Sequence, residues 1–128
     1  MIFLNIFVLM QVRIEDVIQW FSQVVSMDAY PWVMYSNIAS MGFYDTRFMQ
    51  KPYVSTSAYL LKMTNYPKGP WQEIWTALFY TFLHENKKKL VGGSAVYLRN
   101  LVYFEKKGVK EQDAIKDVAR SFTNKVTI

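Results

Sequence analysis

Asp28 opens a ten-residue run, DAYPWVMYSN, that closes on Asn37. Between them stand Tyr30, Trp32 and Tyr35, with Met34 among the rings. A carboxylate and an amide at the ends of an aromatic run can orient a flat ligand whose faces the rings cover. Ligand pockets are built this way, from apolar walls with a few placed polar groups. Tyr and Trp rings that stand close together can also pass single electrons. The same rings can serve as plain core, because each aromatic side chain buries a large area. Other chemical templates find little material. Nothing in the sequence supports pairing Asp28 with Asp45 as the two carboxylates of a glycosidase. His84 lies in the charged stretch HENKKK with no Ser or Cys arrangement beside it, and reads as a surface histidine. Gly92-Gly93 is a bare pair and not a phosphate-binding loop.

The elements that must position these residues come from 128 residues, enough for one small core. Hydrophobic residues make up 52% and aromatics 17%, which suits either a large core or the lining of a ring-shaped ligand. There is no Cys, which excludes disulfides and thiolate metal sites. One His with scattered acids gives no metal-ligand set, so no metal site is expected. The net charge of +5 is uneven. Residues 1–83 carry five bases and five acids, whereas residues 84–128 carry ten bases against five acids. That basic third is either a solvated helical surface or a face for nucleic acid or an acidic partner.

The N-terminal MIFLNIFVLM is interrupted by Asn5 and is half the roughly 20 apolar residues that a spanning helix needs. It lacks the basic segment and cleavage site of a signal peptide. No membrane span is expected. The segment reads as a helix buried on nearly all sides, with residues 1–10 covered by a partner chain or a second copy. The cysteine-free composition fits an intracellular protein.

Helical spacing dominates the rest. Ile14, Val17, Ile18, Phe21, Val24 and Val25 form one stripe, with Glu15 and Asp16 in the first turn, where the helix dipole favours acids. Residues 41–52 have no clean period and read as an ordered loop. A Ser or Thr of residues 55–57 caps a short helix over AYLLKM. After the turn NYPKGP, Pro70 begins a helix that runs to about Lys89. Its apolar residues are Trp71, Ile74, Trp75, Leu78, Phe79, Phe82 and Leu83. Ser94 caps a further helix, Gly108 breaks it, and Ala114, Ile115, Val118, Ala119 and Phe122 mark a last one. No strand pattern competes, so the expectation is one all-α domain over residues 1–128, with basic helices in 91–128.

Four ordered blocks carry a resemblance. They are DAYPWV; NIASM; KPYVS before YLLKM; and the aromatic helix ending FLHEN. Over residues 1–90 the chain resembles the later part of the helical FAD-binding domain of the photolyase/cryptochrome superfamily. The branch is the one containing bacterial (6-4) photolyases and prokaryotic cryptochromes. The resemblance implies an all-α fold and bound FAD. It implies light-driven electron transfer linked to DNA photorepair or blue-light sensing, with damaged DNA as partner. Asp28 would face the flavin or its ribityl chain. Met34 would stand near flavin N5, and Asn37 and Asn5 would line the pocket. Trp20, Tyr30, Trp32 and Tyr59 would be electron-transfer residues, and Lys51 and Tyr53 would lie near the DNA face. The family's iron–sulfur ligands are cysteines, so no iron–sulfur cluster is expected here. The family's Asp-Gly-Gly is Asp45-Thr46-Arg47 in this chain. Two further readings stand beside this one. One is a flavin-free photolyase-like domain serving as a structural or interaction subunit; the other is a basic nucleic-acid-binding module.

Overall fold

The computed structural model describes residues 2–25, 54–90 and 94–126. These residues form seven helices and no strand, so the chain is all-α as expected. It divides into two compact units, Met1–Val54 and Ser55–Ile128.

In the first unit, α1 (Ile2–Leu9) and α2 (Ile14–Val24) are joined by a tight turn. Gln11 N–H donates to Val8 O and Val12 N–H donates to Phe7 O, both at 3.0 Å. That pair of bonds is a Schellman closure, and it places Gln11 in the left-handed region at φ 55°. The chain reverses here so that the rings of α1 meet those of α2. Glu15 and Asp16 occupy the first turn of α2, and Asp16 also takes the Arg13 guanidinium at 2.9 Å. Within the chain itself the N-terminal run is only partly buried. Leu4, Asn5, Val8 and Leu9 are buried, while Phe3 is 61% exposed. The stripe on α2 buries Val17 and Phe21 but leaves Val24, at its last residue, exposed.

The second unit is organised around α4 (Trp71–Glu85). It packs most extensively on α7 (Val109–Val126), and also on α6 (Ala95–Glu105) and α3 (Ser57–Met63). Trp75, Ala77, Leu78, Phe79, Thr81, Phe82 and Leu83 are all buried, so the second half of α4 is enclosed on more than one side. Polar bonds fix the start of α3 against it. Trp75 Nε1 donates to Ser55 O at 2.8 Å, and the Ser57 and Thr76 hydroxyls lie 3.0 Å apart. Thr56 occupies the cap position of α3 without a side-chain cap bond.

The helix expected to reach Lys89 ends at Glu85. Asn86 Nδ2 donates back to Phe82 O at 3.0 Å, and a separate turn, α5 (Lys87–Leu90), starts from Asn86 O. Asparagine competes for backbone groups in this way, and that competition interrupts the helix. Ser94 caps α6 as expected, accepting from Val96 N–H at 3.3 Å. Past Gly108, the Gln112 side chain donates to Lys107 O at 2.8 Å and closes the turn between α6 and α7. On α7 Ala119 is buried, Ile115, Val118 and Phe122 are half-buried, and Ala114 is exposed. Among the described residues no helix is long and apolar enough to cross a membrane.

Candidate functional site

The aromatic residues of the first unit come together because α1 presents Phe3 and Phe7 one turn apart. Trp20 of α2 lies 5.2 Å from Phe3, 5.3 Å from Phe7 and 5.0 Å from Phe21, measured between ring centroids. Phe7 meets Phe21 edge-on at 6.3 Å. Tilted and edge-on contacts of this kind are the favoured packing of aromatic quadrupoles. Trp20 is therefore held by three rings while remaining half-buried.

Asn5 does not share that cluster's face. It is two residues from both Phe3 and Phe7, which puts it about 200° round the helix from each. It is buried there in the company of Leu4, Val8 and Leu9. Asn5, expected to line a pocket, and Trp20, expected as an electron-transfer residue, thus lie on different sides of α1. Tyr59 belongs to the second unit, on α3, and is 48% exposed. Asp28, Tyr30, Trp32, Met34, Asn37, Lys51 and Tyr53 lie outside the described residues, as do Asp45 and Arg47.

A second cluster emerges on α4 that the sequence reading passed over. Tyr80 stacks on Phe104 of α6 at 5.5 Å and 11°, and lies 6.2 Å from Tyr103. His84, one turn further along α4, packs on the same Phe104 at 5.7 Å. Lys107 Nζ sits 5.0 Å from the centre of the Tyr103 ring and bonds Glu111 of α7. Burial pushes the Tyr80 phenol above its ordinary value; the neighbouring Tyr103 adds to this and Lys107 opposes it. Burial likewise holds His84 below its ordinary value, and Lys116 and Lys87 add to the effect against Glu105 and Glu85.

Both groups are therefore neutral near pH 7, and the His84 Nδ1 atom is buried without a hydrogen-bond partner. His84 is thus not the plain surface histidine its charged neighbours suggested. The only signal available in the sequence was the four-residue spacing of Tyr80 and His84, which puts both on one side of a helix. Among the described residues no group of three or more His, Cys, Asp or Glu is placed to hold a metal ion.

An open groove of about 320 Å³ runs between α4 and α7, lined by Glu73, Thr76, Ala77, Glu111, Ala114, Ile115 and Val118. Its walls are mainly small and aliphatic, and they supply no aromatic face for a flat ligand.

Over 101 residues the chain is 38% identical to Uncharacterized protein R855 of Acanthamoeba polyphaga mimivirus. The match covers 77% of this chain and 81% of the viral protein. The chain belongs to the family of that mimivirus protein. No family model matches the chain, and no solved structure matches it.

Proposed function

We propose that the chain is the distal helical portion of a photolyase/cryptochrome-type flavin domain. In this reading it takes part in FAD-dependent, light-driven electron transfer linked to DNA photorepair or blue-light sensing. The observation that carries the reading is the ordered run of four blocks between Asp28 and Asn86 in a chain whose described residues are all-α. The ring cluster around Trp20 holds that indole in a fixed place, its neighbours being phenylalanines that pack against it and do not themselves carry electrons. Asp28, Met34 and Asn37, with the buried Asn5, supply the polar and thioether groups toward the flavin. Trp20, Tyr30, Trp32 and Tyr59 supply the redox-active rings, and Lys51 with Tyr53 faces damaged DNA. An intracellular location goes with this activity.

FAD titration followed by flavin fluorescence tests the assignment. The chain should quench the flavin, and Asp28→Ala should weaken binding by about tenfold or more, because removing a charged partner leaves buried polar groups unmatched. Equal binding by the variant removes Asp28 from the site.

A second reading, a flavin-free interaction subunit, is favoured by one specific observation. Helix α6 exposes Val96, Leu98, Val102 and Tyr103 at its surface. A chain that neither quenches nor retains FAD supports this reading over the first.

A further inference from the structure

Helix α6 has two apolar sides, and the fold uses one of them. Tyr97, Leu101 and Phe104 are buried. Away from them, Val96, Leu98, Val102 and Tyr103 are 38–56% exposed. Single exposed apolar residues are ordinary, but four on one eleven-residue helix are a face. Ala95, Leu98, Arg99, Val102 and Lys106 fall within an arc of roughly 100°, with Val96 and Tyr103 on the Arg99 side. A water-facing helix normally keeps one apolar stripe, and a second one needs a cover.

The charge around this face narrows what the cover is. Residues 87–107 hold six bases and one acid, Glu105, which equals the +5 of the whole chain. Glu105 is taken by Lys87 at 2.6 Å. Lys107 is held by Glu111 and the Tyr103 ring. Among the described residues the side chains of Lys88, Lys89, Arg99 and Lys106 make neither an ion pair nor a hydrogen bond. The α5 turn carrying Lys88 and Lys89 packs on α6.

We infer that the outer face of α6 docks an acidic amphipathic helix from a partner protein, whose apolar side covers Leu98 and Val102 and whose carboxylates meet Arg99 and Lys106. A second copy of this chain would bring like charge to like charge. Residues 26–53 offer no complement either, since Asp28 and Asp45 are balanced by Arg47 and Lys51. A nucleic acid would find aliphatic side chains where bases need rings, and the exposed Tyr103 already has Lys107 over it. A lipid surface would find a stripe of only about two turns. This inference stands apart from flavin binding and does not depend on it.

The test uses the full chain and two fluorescein-labelled helical peptides of roughly 18 residues, about five turns. Both carry leucines at i, i+3, i+4 and i+7; one fills the remaining positions with Glu, the other with Lys. The Glu peptide should bind, and the Lys peptide should bind at least about tenfold more weakly. Val102→Glu and the double change Arg99→Glu with Lys106→Glu should each weaken the Glu peptide about tenfold or more. Their circular dichroism should be unchanged, because these side chains are exposed. Equal affinity for the two peptides, or Glu-peptide binding unaffected by either variant, overturns the inference. So does a chain that ignores the Glu peptide, whether it then binds nothing, phosphatidylserine vesicles or a labelled oligonucleotide. Self-association that Val102→Glu abolishes, with no peptide binding, would assign the face to a second copy instead.

Discussion

Phe79 and His84 lie five residues apart on α4, and the sequence was informative about only one of them. Phe79 sits on the stripe that the 3.6-residue period marks as core, and it is 1% exposed. Truncating it to Ala removes most of a buried ring and leaves a cavity, so the expected loss is about 3–5 kcal/mol in urea unfolding. A loss below ~1 kcal/mol would mean that the site collapses around the gap or is not closed. His84 is different, because HENKKK looks solvated when read along the chain. The Phe104 ring that packs on the imidazole and the Lys116 charge that acts on it come from helices remote in sequence. Glu85 of its own helix, Lys87 of α5, Glu105 of α6 and Lys116 of α7 are the charges that act on it. The folded state holds its pKa below the ordinary 6.5. As pH falls below that value, the unfolded chain takes up a proton that the folded chain still refuses. Stability therefore falls as pH drops through this window, and the loss is complete below the folded-state pKa. His84 is the single histidine of the chain, so the window is free of other imidazoles. Melting temperatures of wild type and His84→Phe, compared between about pH 7.5 and 5, should show the slope in the first and its reduction in the second. Parallel curves would place the acid sensitivity elsewhere.

Helices announce themselves through local signals, and most of these were readable. Ser94, Pro70 and Gly108 all lie at helix boundaries, and α2, α4 and α7 form where their stripes lie, although Val24 and Ala114 of those stripes are exposed. The break at Asn86 was missed because the apolar period runs up to it and basic residues beyond it look like an ordinary helix end. The second apolar side of α6 was missed for the opposite reason. Apolar residues all round a helix imply full burial, and the sequence does not say which neighbours are present to provide it. The turn between α1 and α2 carries a testable consequence of its own. Gln11 at φ 55° occupies the position where a Schellman closure usually has glycine. A side chain there costs about 1–2 kcal/mol, partly offset by the extra chain entropy that glycine loses on folding. Gln11→Gly should therefore stabilise the first unit by ~0.5–1 kcal/mol in chemical denaturation. A destabilised variant would show that Gln11 holds the turn through its side chain.

For the whole molecule, fold class was legible, whereas most of the expected site residues lie outside the described residues. Absence of any alternating pattern, plus the helical stripes and caps, led directly to an all-α chain, and the described residues are all-α. Division into the two units Met1–Val54 and Ser55–Ile128 has no punctuation in the sequence, because no proline- or glycine-rich linker marks it. The proposed flavin site rests on residue types and their order, above all Asp28, Met34 and Asn37. The described residues contribute the Trp20 cluster and the buried Asn5, on opposite sides of α1. Light-driven flavin chemistry is the central claim, and the absorption spectrum of the purified chain loaded with FAD, before and after blue illumination, tests it most directly. The claim predicts that the chain retains a yellow flavin after gel filtration, that the blue absorption band bleaches under light with an added electron donor, and that Trp20→Phe slows the bleaching. A chain that emerges colourless after incubation with FAD would contradict it.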